Sequence, residues 1–120
     1  EANRRTAVIP LVESSEGAAN FEKILRTPGI TAVFLGPVDL SVAMGLKGNV
    51  NAPEVRSALL TMVEQANRAG IPVGALGLDP AFVRELFSRG LNFLAYGIDT
   101  ILMYQKCCEI QQAVFGRSAQ

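Results

Sequence analysis

The sequence predicts an α/β fold built on a parallel sheet. Three observations carry that prediction. Short apolar runs alternate with helical patterns four times along the 120 residues. The connections between them are short, as successive βα units require. The runs are apolar on nearly every residue, as expected of strands covered on both faces of a parallel sheet. Four βα units are half of a (βα)8 barrel, and a whole barrel runs to about 250 residues. The pattern by itself fits both half a barrel and a small open α/β sheet, although an open sheet of this size would leave two unpaired edges and one bare face.

The first strand is predicted over Thr6 to Val12, after an opening Glu1-Ala2-Asn3-Arg4-Arg5 that reads as a helix end or loop. Ser14 or Ser15 can cap the helix that follows, with Glu16 in its first turn. That helix is expected to reach Arg26 and stop at Thr27-Pro28-Gly29. Ile30 to Leu35, rich in β-branched and aromatic residues, predicts the second strand. A long loop is expected from Gly36 to Ala52, with a short helical turn after Asp39. Pro53 then sits in the first turn of a helix, where its missing N–H costs nothing. This helix should run to Ala69 with Val55, Leu59, Met62, Val63 and Ala66 on one face, and end at Gly70. Ile71 to Leu76 predicts a third strand. Asp79 caps a helix that opens on Pro80, carries Phe82, Val83, Leu86 and Phe87, and ends at Arg89-Gly90. Leu91 to Tyr96 is the fourth strand. Gly97-Ile98-Asp99 turns into a last helix, capped by Asp99, that reaches Phe115, and the final residues to Gln120 read as a frayed tail.

Composition narrows the function. A hydrophobic share of 49% marks a chain with a packed core. Net charge is zero and the sequence has no basic block interleaved with aromatics, which argues against nucleic acid and anionic membrane as partners. The apolar runs are too short and too interrupted to cross a bilayer. Cys107 and Cys108 are adjacent, lack ligand spacing, and read as reduced, part-buried residues of a cytoplasmic protein. No G-x-G-x-x-G or G-x-x-x-x-G-K-S/T loop supports nucleotide binding. With 0 histidines the chain lacks the commonest general base. The opening residues, without Met, read as those of a piece of something larger.

Two acidic residues stand out. Glu13 follows the first apolar run and Asp39 follows the second. In a βα barrel that end of the strands is where reacting groups gather. Two carboxylates over neighbouring strand ends can hold a hard divalent cation; Mg²⁺ is often bound by only one or two, with substrate and water completing its shell. Each residue also has a plainer reading. Glu13 alone could favour the dipole of the following helix, and Asp39 alone could cap the turn after Pro37.

From Leu11 to Gly97 the chain resembles the C-terminal half of the HpcH/HpaI aldolase family. The resemblance rests on Leu11-Val12-Glu13-Ser14, on Pro28 through Ser41 with its G-P-x-D-L-S ending, and on Met44-Gly45-Leu46-Lys47-Gly48-Asn49. Pro53-Glu54-Val55, Gly74-Ala75-Leu76 and Leu94 through Thr100 extend it. The resemblance implies that residues 1–120 are the C-terminal half of a single (βα)8 TIM barrel domain. It implies a class II aldolase cleaving 2-keto-3-deoxy or 4-hydroxy-2-oxo acids to pyruvate and an aldehyde through a metal-stabilised enolate. Glu13 and Asp39 match the family's metal ligands, and the cofactor is a divalent cation, Mg²⁺ first, with Mn²⁺ or Co²⁺ as alternatives. Gly36, Pro37 and Val38 match the segment whose amides receive the substrate carboxylate, and Leu76 matches an apolar residue of the substrate cavity. The general base belongs to the first half of the barrel and has no counterpart here, so the missing half-barrel or another subunit is an expected partner, within a homo-oligomer. Two rival readings remain: a non-catalytic half-barrel acting as an assembly unit, and a CoA-thioester lyase of the citrate lyase-like branch.

Overall fold

In the computed structural model, which describes residues 5–116, four parallel strands lie side by side in the order they occur in the chain. They are β1 (Leu11–Val12), β2 (Val33–Leu35), β3 (Val73–Gly77) and β4 (Phe93–Tyr96). The helices are α1 (Ser15–Ala19), α2 (Phe21–Leu25), α3 (Pro37–Ala43), α4 (Pro53–Ala69), α5 (Pro80–Ser88) and α6 (Asp99–Phe115). Strand order equal to chain order is the singly wound arrangement of a barrel wall, without the reversal of a doubly wound sheet. The expected character of residues 1–4 and of the tail beyond Gly116 lies outside the described residues.

Side-chain alternation divides the sheet into two unlike faces. Val12, Val33, Leu35, Val73 and Ala75 point towards the helices and are buried with Phe21, Leu25, Val55, Leu59, Met62, Val63, Ala66 and Leu86. The face of α4 read from the sequence is therefore the buried one. The other face carries Leu11, Phe34, Gly74 and Phe93, aligned in register across the four strands. Leu11 there is 52% exposed, and Phe34 and Phe93 are only half-buried. Their rings approach to 5.9 Å between centroids, passing over Gly74. A Cβ at Gly74 would overlap the Phe93 ring. Gly74→Ala should therefore cost about 1–3 kcal/mol by overpacking. The cost, read from urea denaturation of the whole protein, should shrink in a Phe93→Ala background; equal costs in both backgrounds would show that the ring does not impose the glycine.

The structure corrects several expected boundaries. The first strand is only two residues long, because Pro10 has no N–H to give a ladder. Pairing nonetheless begins earlier, with Thr31 N–H donating to the Val8 carbonyl and Phe34 N–H to that of Pro10, each at 2.9 Å. The single helix expected up to Arg26 is broken at Asn20, whose φ and ψ of −100° and 13° leave the helical region. The Asn20 amide donates to the Glu16 carbonyl and its oxygen accepts from Lys23 Nζ, which competes with helix propagation. α3 begins at Pro37, before Asp39, with Gly36 as its N-cap; the fixed φ of Pro37 suits the first helical position.

Later elements follow the sequence more closely. Gly70 closes α4 at φ 69°, and Asp79 caps α5 by accepting from the N–H groups of Ala81 and Phe82. Of the apolar residues read on α5, Phe82 and Leu86 are buried and Phe87 is exposed. Asp99 does not cap α6: Ile98 holds the cap position, and the Asp99 carboxylate accepts from Thr100 N–H at 2.7 Å. α6 buries none of its 17 residues. Its Cys107 is exposed and Cys108 half-buried, so the expectation of part-burial fails for Cys107. Cys108 raises the pKa of the exposed Tyr104 phenol by hydrogen bonding to it one turn away. The radius of gyration, 16.9 Å, exceeds the roughly 13–14 Å of a compact domain of this length.

Candidate functional site

The site is built at the C-terminal edge of the sheet, where β1 and β2 hand over to α1 and α3. Val12 points into the helix-side core, so Glu13 turns to the face it shares with Leu11. Across the strand gap its neighbour is Gly36, whose N–H donates to the Val12 carbonyl at 3.0 Å. Gly36 is a glycine for a steric reason. A Cβ there would stand 2.9 Å from Glu13 Cβ and 3.0 Å from Glu13 Oε2. The missing methyl leaves a cradle in which the Glu13 carboxylate lies beside the start of α3.

α3 carries Asp39 in its first turn. Leu40 and Ser41 are fully buried and seat this short helix on the core; the Ser41 hydroxyl is satisfied by donating to the Val38 carbonyl at 2.6 Å. Asp39 itself is exposed, and because Gly36 is the N-cap, the reading of Asp39 as a cap is excluded. Glu13 thus directly follows β1 and Asp39 lies in the first helical turn after β2, both at the C-terminal edge of neighbouring strands. Among the described residues neither forms a hydrogen bond or ion pair. The paired acids are elsewhere: Glu22 with Arg26, Glu64 with Arg89, Asp79 with Arg56 and Glu109 with Lys106.

Of the expected amide donors, only part is available. The Gly36 N–H is committed to Val12, and Pro37 has none. Val38 remains, joined by Asp39: both N–H groups open the first turn of α3, where no preceding helical carbonyl receives them. Leu76 is half-buried at the end of β3, on the same sheet face as Glu13. Pro37 and Leu76 also border one small crevice together with Asn51, Gly77, Asp79 and Phe82. Behind it Arg56 donates to the Asp79 carboxylate at 3.2 Å and stacks 4.2 Å from the centre of the Phe82 ring. The sequence reading missed Arg56; its partner is 23 residues away and no local signal joins them.

The donor chemistry fits a hard cation. The site offers carboxylate oxygens, the chain has no histidine, and among the described residues no cluster of three or more Asp, Glu, His or Cys forms. A cation held here would take two protein carboxylates and keep its other positions open, the pattern of Mg²⁺-type sites. A larger groove lined by Glu22, Leu25, Arg26, Gln65, Arg68 and Ala69 lies at the opposite end of the helices, away from both carboxylates.

A parallel sheet wound in chain order, with polar groups gathered at its C-terminal edge, is the construction of a (βα)8 barrel. Solved structures agree. The HpcH/HpaI aldolase from Desulfitobacterium hafniense DCB-2 superposes with a TM-score of 0.83 at 23% identity, over 93% of this chain and 44% of that one. An HpcH/HpaI aldolase/citrate lyase family protein from Burkholderia cenocepacia J2315 gives 0.79 at 30% identity, over 93% and 44%. The chain belongs to the HpcH/HpaI aldolase/citrate lyase family, whose model matches residues 1–105. Among curated proteins it is 35% identical to the 2-keto-3-deoxy-L-rhamnonate aldolase of Salmonella paratyphi B, over 96% of this chain and 43% of that protein. It is 36% identical to the hydroxypyruvate/pyruvate aldolase of Pseudomonas aeruginosa, over 91% and 41%. The chain thus spans under half the length of the curated relatives it matches, and its four βα units correspond to the C-terminal half of the barrel. No helix among the described residues is long and apolar enough to cross a membrane.

Proposed function

We propose that this chain is the cation-binding half of a class II aldolase that cleaves 2-keto-3-deoxy or 4-hydroxy-2-oxo acids to pyruvate and an aldehyde. The observation that carries the reading is the pair of unpartnered carboxylates at one sheet edge, with Glu13 cradled over Gly36. The names of the relatives supply the reaction class.

Glu13 and Asp39 would hold the divalent ion, Mg²⁺ in the first instance or Mn²⁺ or Co²⁺. Bound there, such an ion supplies Lewis acidity towards the keto group of a 2-keto acid. The rest falls to the chain's own groups. The N–H groups of Val38 and Asp39 point donors at an anionic substrate end, and Gly36 and Pro37 shape the turn that presents them. Leu76 offers an apolar wall that excludes water from one side of the substrate. With 0 histidines, the chain assigns no group to the proton on the substrate hydroxyl. That base is to come from the complementary half of the barrel or from another subunit. A homo-oligomeric, cytoplasmic protein is part of this proposal; the free cysteines and the unburied apolar residues of α6 support it.

The test is pyruvate release by the whole protein from a panel of 2-keto-3-deoxy and 4-hydroxy-2-oxo acids. Activity should vanish with a chelator and return with Mg²⁺, Mn²⁺ or Co²⁺. Cleavage that ignores the chelator removes the cation from the reading. Absence of cleavage across the panel, with CoA thioesters cleaved instead, favours the citrate lyase-like branch.

A further inference from the structure

We propose that Ser15 is a positioning residue: by holding the far end of α3 against the turn that carries Glu13, its hydroxyl fixes Asp39 relative to Glu13 and sets the affinity of that pair for a divalent cation. The inference rests on the reading of Glu13 and Asp39 as cation ligands.

α3 is seven residues long, and residues 12–15 grip it at both ends. At its start the Gly36 N–H donates to the Val12 carbonyl at 3.0 Å, and Glu13 packs on Gly36. At its far end the Ser15 hydroxyl donates to the Ala43 carbonyl at 2.9 Å. Ala43 ends the helix, so its carbonyl has no intrahelical donor. The neighbouring carbonyls are served by backbone: Leu40 by Met44, Ser41 by Leu46 and Val42 by Gly45. Leu40 and Ser41 seat the middle of the helix on the core, and the two ties set the direction of its ends. Asp39 lies between the two ties.

The adjacent serines divide the work. Ser14 is the N-cap of α1 and accepts from Gly17 N–H at 3.0 Å. Ser15 is thus not needed to cap its own helix, and its hydroxyl reaches across 28 residues of sequence instead. Ser15 is exposed, so water replaces its bond at little cost to stability, and alanine suits the first turn of a helix. A position that only stabilised the fold would give a different signature from one that aims a ligand.

The experiment is Mn²⁺ titration of the whole protein, followed by the electron paramagnetic resonance of the free ion, beside thermal melts. Ser15→Ala should weaken Mn²⁺ binding by about 3- to 10-fold with an unchanged melt. That is less than the 10–100-fold typical of a group bonded directly to a ligand, since Ser15 acts through helix backbone. Ser15→Thr, which keeps the hydroxyl, should bind Mn²⁺ like the parent. If Ser15→Ala binds like the parent while Asp39→Asn loses Mn²⁺, the inference is overturned and the carboxylate site stands. Equal weakening in Ser15→Thr, or a melt that falls together with affinity, also overturns it. If Asp39→Asn binds Mn²⁺ like the parent, the carboxylate site falls and the inference with it.

Discussion

Asp39→Asn or Glu13→Gln in the whole protein is expected to lower Mn²⁺ affinity and cation-dependent pyruvate release by about 100-fold or more, beyond what loss of an outer-shell partner costs. Each substitution removes one anionic ligand and almost no volume. Stability should hardly change, because neither carboxylate has a hydrogen bond or ion pair to another described residue. Substitutions at such positions stay within about 0.5 kcal/mol. The paired measurement matters: lost binding with an intact urea midpoint assigns the two residues to the ion, whereas retained cation-dependent cleavage in both variants removes the assignment. Gly36→Ala offers no equally clean result, since its new methyl would meet both Glu13 and the strand beside it.

The second large effect concerns assembly. The 120-residue chain, purified alone, is expected to sediment as a dimer or larger species, at twice its 12.8 kDa or above. Its sheet presents Leu11 at 52% exposure on the face away from the helices, with Val8 and Ile9 exposed along the β1 edge and Tyr96 along the β4 edge. α6 adds Met103, Tyr104, Val114 and Phe115, each at least 60% exposed. Fully burying one large apolar side chain is worth about 1.5–3 kcal/mol, so even partial cover of this set outweighs a dilute monomer's freedom. Unpaired strand edges add backbone groups that seek another chain. A compact monomer at micromolar concentration would show a self-sufficient open sheet and would contradict the half-barrel as a unit in need of a complement.

The four βα units were legible in the residues because local chemistry punctuates them. Thr27-Pro28-Gly29 halts one helix, Pro53 opens another, Gly70 closes it, and Asp79-Pro80 starts the next; each acts through its own backbone preferences or a bond two or three residues away. The buried stripe of α4 was legible for the same reason, since a period near 3.6 places Val55, Leu59, Met62 and Ala66 together without reference to the rest of the chain. Glu13 and Asp39 were legible as a pair only because the motif around them resembles a family and because strand ends in barrels collect polar groups. Their spacing alone left each with a plainer role.

Tertiary structure decided what depends on partners far apart in the chain. The order of the strands and their common register rest on pairings such as Leu35 with Ala75, forty residues distant, which no local pattern encodes. The commitment of the Gly36 N–H to Val12 withdrew one expected substrate donor. The Phe93 ring crowds the position of Gly74, Glu13 crowds that of Gly36, and the Ser15 hydroxyl found Ala43 across the edge of the sheet. Cys107, read as part-buried, and Phe87, read as an apolar residue of its helix, are both exposed because nothing in the described residues covers them. By itself the sequence determined the four βα units, the bounds of α4 and α5 and the buried stripe of α4, since those rest on short-range preferences. Which groups meet at the C-terminal edge, and which of them are left free for a ligand, is a matter of long-range contact, and only the folded sheet decides it.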